Sequence, residues 1–189
     1  MNSNQIIIFA SGSGSNAENI VNYFSNKRSN HKWLICTNNP KARVIERAKK
    51  LQIDYKIFTK DELYNGSILN CINSLNPELI ILAGFLLKFP IEIIDVYNKK
   101  IVNIHPALLP KYGGKGMYGM NVHKAIIKNK EAVSGITIHY VNKKYDEGPI
   151  IFQKEIKINP SYTPNDLANK IHDLEMEYFP KIVENLLTL

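Results

Sequence analysis

Apolar residues arrive in short blocks separated by polar corners, and the blocks alternate between two spacings. Residues 5–10 and 79–83 are almost continuously apolar, as strands covered on both faces are. Residues 33–37 and 55–58 form shorter blocks of the same kind. Between them, residues 15–24, 41–51 and 60–75 carry helical segments, the second starting after Asn39-Pro40. A short helix is expected over 90–96 and a strand over 101–105. This β-α-β-α alternation predicts a parallel, doubly wound sheet, Rossmann-like in its first half. After a glycine-rich loop at 113–119, residues 121–128 read as helix. Two longer strands, 135–141 and 150–158, follow as an antiparallel pair across a charged loop. A helix over 164–187 ends the chain, introduced by Thr163-Pro164, with Pro180 expected to kink or break it. No repeat or linker interrupts the chain. The expectation is one α/β domain over residues 1–189 on a mostly parallel seven-stranded sheet, with halves 1–100 and 101–189.

The chain is 189 residues long and 44% hydrophobic, enough for a substantial core. No run of 18 apolar residues would span a membrane, and residues 1–10 show no secretory pattern. Cys36 and Cys71 lack zinc or redox spacing, which fits a reducing cytoplasm. The net charge of +7 comes from scattered basic residues, clustered only as pairs such as Lys27-Arg28 and Lys143-Lys144. Without an aromatic and basic platform, a nucleic-acid partner is not expected. A positive surface suits small phosphorylated or polycarboxylate ligands.

Candidate chemistry concentrates where predicted strands end. Asn103 and His105 lie two apart on a strand, about 6–7 Å between Cα atoms, on the face opposite Val102 and Ile104. Pro106 ends that strand and puts the imidazole at its carboxyl end, where ligands of open α/β sheets bind. An Asn can donate to a carbonyl oxygen, and a protonated His can stabilise the oxyanion formed on attack. A lone His is otherwise a buried structural residue. Asp146, in Tyr145-Asp146-Glu147-Gly148-Pro149, either supports the imidazolium and shuttles protons or is a solvated turn acid. The turn Ser11-Gly12-Ser13-Gly14-Ser15-Asn16 either cradles a phosphate at the helix start or only closes the corner. His139 reads as a core residue or one supporting the site from behind, His31 as surface. No histidine, cysteine or carboxylate spacing suggests a metal site.

Taken in order, Ser11-Gly-Ser-Gly-Ser-Asn16, Ala83-Gly-Phe85, Asn103-Ile-His-Pro-Ala-Leu-Leu-Pro110, Gly135-Ile-Thr-Ile-His139 and Asp146-Glu-Gly-Pro149 resemble the folate-dependent formyltransferase family, in its phosphoribosylglycinamide branch. The resemblance spans essentially the whole chain. It implies formyl transfer from 10-formyltetrahydrofolate to the amine of 5-phosphoribosylglycinamide, in purine biosynthesis, with no metal. It assigns catalysis to Asn103, His105 and Asp146, and the ribonucleotide to Gly14, Ser15, Asn16, His172 and Glu175. The formyl-folate falls to Lys60, Leu86, Leu87, Lys88, Phe89, Asn103, Val141 and Asp146. It further implies small-molecule partners and a cytoplasmic monomer or homodimer. Leu87 stands where some members carry Arg, and the 113–120 loop is longer than in others. His123 aligns with a histidine near that loop, in a structural, substrate-orienting or catalytic role. Rival readings are a formyl-folate hydrolase, which resembles a longer chain, and a methionyl-tRNA formyltransferase. The latter needs Arg-Gly-Ala where Lys111-Tyr112-Gly113-Gly114 stands, as well as an additional domain. A non-catalytic folate- or phosphate-binding module is the third.

Overall fold

The two most continuously apolar blocks lie side by side in the middle of the sheet. In a computed structural model, which describes residues 4–188, the strands are β1 (Gln5–Phe9), β2 (Lys32–Thr37), β3 (Asp54–Ile57), β4 (Leu79–Leu82), β5 (Ile101–His105), β6 (Val133–Tyr140) and β7 (Ile150–Lys157). They are ordered β3-β2-β1-β4-β5-β6-β7. Pairing is parallel from β3 through β5, and β6 and β7 join antiparallel. The helices are α1 (Ser15–Asn26), α2 (Val44–Lys50), α3 (Lys60–Tyr64), α4 (Ser67–Leu75), α5 (Ile91–Val96), α6 (Met120–Lys128) and α7 (Pro164–Leu187). Among the described residues, no helix is long and apolar enough to cross a membrane.

Both faces of the central strands are covered, which is why their sequences lack polar alternation. Ile6, Ile8 and Ile81 pack with Ile20 and Phe24 of α1, Ala48 of α2 and Phe179 of α7. Ile7, Phe9, Ile80 and Leu82 face the other way, towards Leu63, Ile72 and Ile93. Phe9 lies edge-on to Phe58, Phe85 and Phe89, with ring centroids 5.8, 5.4 and 5.1 Å away, and this aromatic group backs the loop after β4.

Three expected helices differ in detail. The segment expected over 41–51 becomes helical only at Val44, because its first residues wrap the turn after β1. There the Val44 amide donates to the Gly12 carbonyl at 3.2 Å, and the Lys41 amide donates to Asn39 Oδ1 at 2.9 Å. The segment over 60–75 is two helices, since Asn65 Oδ1 accepts from the Ser67 amide at 3.0 Å and makes a turn of the Asn-Gly pair. The last helix does not break at Pro180. Proline cannot donate to the carbonyl four residues earlier, and that carbonyl, of Met176, accepts instead from Asn19 Nδ2 of α1 at 2.7 Å. A capping box at Thr163 and Asp166 starts the helix as the sequence indicated.

β1 is flanked by β2 on one side and β4 on the other, so successive connections leave the sheet in opposite directions. Such a switch point opens a crevice at the carboxyl ends of the strands.

Candidate active site

The crevice is a cavity of about 470 Å³. Its walls come from residues 12–16 after β1, 82–89 around the end of β4, 103–106 at the end of β5, the 114–119 loop, residues 141–146 after β6, and His172 and Glu175 of α7. Apart from residues of α1, α5, α6 and α7, the walls are strand ends or the loops that follow them, so the sheet topology gathers them.

Asn103 and His105 meet Asp146 here. His105 is 4% exposed, and its Nδ1 lies 3.7 Å from Asp146 Oδ2. The other ring nitrogen, Nε2, donates to the Tyr112 carbonyl at 2.8 Å. A carbonyl can only accept, so the proton of the neutral ring sits on Nε2 and Nδ1 is left as the acceptor on the Asp146 side. Asp146 adopts a left-handed backbone (φ 55°). Its Oδ2 accepts from the Gly114 amide at 2.8 Å, and its Oδ1 lies 3.7 Å from His139 Nε2. His139 stands opposite Asn103 in the antiparallel β5–β6 register. It donates from Nδ1 to the Tyr140 carbonyl at 2.8 Å and accepts at Nε2 from Asn103 Nδ2 at 3.1 Å. One N–H of the Asn103 amide therefore remains for a ligand.

His139 thus braces Asn103 by a hydrogen bond and stands beside Asp146. Sequence patterning placed it only in the core or behind the site; the register that sets it opposite Asn103 is a tertiary fact. Thr137, opposite His105, anchors the loop after β5 by accepting from the Leu109 amide at 3.0 Å and donating to the Ala107 carbonyl at 2.7 Å.

Asp146 does favour the imidazolium, as expected, but burial is the larger influence on the ring. Burial holds the His105 ring below the ordinary histidine value of 6.5, and outweighs Asp146 and the Tyr112 carbonyl, which pull upward. The nearby carboxylate does not make a standing imidazolium. Burial pushes the Asp146 carboxyl up, but the His139 and His105 rings and the Gly114 amide together outweigh it, leaving it below its ordinary value. The pair therefore rests as an ionised Asp146 beside a neutral His105. A neutral imidazole with a free lone pair, a carboxylate behind it and a spare amide N–H can take a proton from an amine and hold charge on a carbonyl oxygen.

The second cluster lies on α1 and α7. Asn16 Nδ2 donates to Glu175 Oε2 at 2.8 Å, and His172 Nδ1 lies 3.4 Å from the same oxygen. Glu175 raises the His172 ring above its ordinary value. Asn16 Oδ1 is buried without a partner. Gly14 is left-handed (φ 72°), and a Cβ there would lie 2.3 Å from Val44 Cγ2, so a side chain is excluded where the turn meets α2. His123 of α6 also lines the cavity, is 5% exposed and is held by burial below its ordinary value.

At the apolar end, Leu86, Leu87, Lys88, Phe89 and Val141 all line the cavity, with Leu86 exposed and Phe89 buried. Lys60 does not. It is the exposed first residue of α3, after the capping box at Thr59, and lies outside the crevice. The lysines that border the cavity are Lys88, Lys115, Lys143 and Lys144. Among the described residues, no group of three or more His, Cys, Asp or Glu side chains is placed to hold a metal ion.

The family model described as formyl transferase matches residues 4–183. The chain belongs to the formyl transferase family. Among its relatives, phosphoribosylglycinamide formyltransferase of Bacillus subtilis is 35% identical over 96% of this chain and 94% of that protein. The chloroplastic phosphoribosylglycinamide formyltransferase of Arabidopsis thaliana is 34% identical over 95% of this chain. The chain spans 64% of the length of that plant relative. The crystal structure of phosphoribosylglycinamide formyltransferase from Bacillus halodurans superposes with a TM-score of 0.87 at 31% identity, covering 97% of this chain and 95% of that one. A formyl transferase fold with helices on both sides of a seven-stranded sheet is therefore shared with solved relatives.

Proposed function

We propose that this protein transfers a formyl group from 10-formyltetrahydrofolate to the primary amine of 5-phosphoribosylglycinamide, releasing N-formylglycinamide ribonucleotide and tetrahydrofolate, as a step of purine biosynthesis. The observation that carries the reading is the meeting of Asn103, His105 and Asp146 in one cleft, with Nδ1 of the ring 3.7 Å from the carboxylate. The relatives' names supply the acceptor and the group transferred, and the likeness to the family supplies the folate donor. The cavity fits them in kind, with apolar walls at residues 86–89 and a glycine and serine turn opposite Glu175.

The first half of the chain would hold the ribonucleotide phosphate, on the amides of Gly14, Ser15 and Asn16 at the start of α1. Glu175 and His172 would face its ribose and amine. The second half would hold the donor, with Leu86 to Phe89 and Val141 against the pterin. The bound folate supplies the formyl carbon. His105 accepts the proton that the attacking amine loses, and the imidazolium so formed faces the Asp146 carboxylate. The free N–H of Asn103 takes the negative charge developing on the formyl oxygen. His105, with Asp146, then returns the proton to the departing folate nitrogen, so that the proton count closes. We read the enzyme as cytoplasmic; the free thiols of Cys36 and Cys71 suit a reducing compartment.

A spectrophotometric assay with both substrates and a control without ribonucleotide tests the reading. Folate deformylation that requires the amine supports it. Equal deformylation without acceptor assigns the site to a hydrolase instead.

A pH dependence follows from the neutral ring. His105 works as a base only when deprotonated, and its value in the fold lies below 6.5. The enzyme's acid limb in kcat/KM is expected to bend below pH 6.5, once the substrate amine's own titration is divided out. A limb bending above 6.5 would contradict the assignment. His105 and Asp146 both have depressed folded values, so their contributions to stability are present above the ordinary values and fade as pH falls through the folded ones.

A further inference from the structure

Behind His105 stands a hydrogen-bond chain with no member in the cavity wall. Tyr112, whose carbonyl accepts from His105 Nε2, has a left-handed backbone (φ 58°). A residue with a Cβ keeps that conformation only where its surroundings impose it. Its ring packs against the core, and a further restraint is at the far end of its own side chain. The Tyr112 hydroxyl donates to Glu131 Oε1 at 2.9 Å and accepts from Asn129 Nδ2 at 2.9 Å. Lys111 Nζ closes on the same carboxylate at 3.2 Å. Asn129 and Glu131 belong to the turn between α6 and β6. That turn is bonded to the helix end, with the Asn129 amide donating to Ala125 at 3.0 Å and the Glu131 amide to Ile126 at 3.3 Å. The Tyr112 hydroxyl, followed by Lys111, holds the Glu131 carboxyl below its ordinary value. The bond between them is therefore charge-assisted at neutral pH.

We propose that Tyr112 is a positioning residue for formyl transfer. The clamp of Glu131 and Asn129 on its hydroxyl sets the main-chain carbonyl that keeps the His105 proton on Nε2, and so keeps Nδ1 as the base. This role rests on the reading of His105 as the proton acceptor. None of Tyr112, Asn129 and Glu131 lines the cavity, so their effect passes through neighbours that do, His105 or the loop from Gly114, and the His105 tautomer separates the two routes. Without the clamp, the carbonyl is free to turn away, and the ring can take the other tautomer, whose Nδ1–H points at Asp146 and accepts nothing.

Tyr112→Phe removes only the hydroxyl, and Glu131→Gln keeps the shape while removing the charge. Heteronuclear NMR of the full-length variants reads the His105 tautomer directly. The wild type is expected to show the Nε2–H form alone, and Tyr112→Phe a mixture of both forms. Turnover, kcat, is expected to fall roughly tenfold in Tyr112→Phe, a part of the about 10²–10⁴ that a positioned base contributes. KM for each substrate stays within about twofold, because the missing interaction acts in the transition state. Glu131→Gln, which retains a hydrogen-bond acceptor, loses less; it carries the test with the same readouts if Tyr112→Phe does not fold. An unchanged tautomer, or a raised KM with unchanged kcat, overturns the role. A wild-type chain without transferase activity would overturn the proposed function, and the tautomer comparison would still decide the clamp.

Discussion

His105→Ala is expected to lower kcat by about 10²–10⁴-fold while ribonucleotide affinity stays within about threefold of the wild type. The ring is a neutral base set against a carboxylate at the end of β5, with Nδ1 3.7 Å from Asp146 and Nε2 committed to Tyr112. The residues proposed to hold the ribonucleotide, Asn16 and Glu175, bond each other on α1 and α7 and make no hydrogen bond to that ring. Asp146→Ala should fall in the same range. The double variant should cost little more than either single one, since groups acting as one unit are not additive. Steady-state kinetics with calorimetric titration of the ribonucleotide check all three proteins. Near-normal kcat in either single variant removes these two residues from the chemistry.

The second large effect is expected from a position with no chemistry of its own. A Cβ on Gly148 would lie 1.7 Å from the Tyr140 carbonyl oxygen and 3.4 Å from His139 Nδ1. The first contact is with backbone, so one of the two segments must move. Asp146 sits two residues before Gly148, and His139 bonds Asn103 and lies 3.7 Å from Asp146. Overpacking of this kind costs about 1–3 kcal/mol, which for a chain of this size is a fall in Tm of about 2–12 °C. Misplacing the carboxylate by about 1 Å should also cost about 10²-fold in kcat. Thermal melting and kinetics of Gly148→Ala read the two effects separately. Wild-type values of both would show that the loop absorbs the methyl group and does not position Asp146.

Glycine at 148 was visible only as part of an Asp-Glu-Gly-Pro run, whose bland meaning was a solvated turn. The reason for the glycine is the close approach of the two chain segments, which no local pattern records. The Asn65-Gly66 pair, by contrast, carried a turn signal that would have divided the 60–75 segment. At Pro180 the local rule predicted a kink or break; the helix runs on, and Asn19, far away in the chain, satisfies the Met176 carbonyl. Lys60 was assigned to the folate by likeness to relatives and lies outside the cavity; the cations at its rim come from loops whose course only the fold defines.

The alternation of strands and helices, the parallel first half of the sheet and the placing of Asn103 and His105 on one strand face were determined by the sequence alone. Each follows from short-range rules: apolar spacing, strand alternation and the proline that stops a ladder. Which side chains meet across the cleft was decided only in three dimensions. The antiparallel register of β5 and β6 puts His139 against Asn103, and the left-handed turn at Asp146 carries its carboxylate back to His105. The protonation of the ring was likewise a tertiary outcome. Loss of solvent around His105 outweighs the neighbouring carboxylate, and burial depends on everything packed around a residue rather than on its place in the chain.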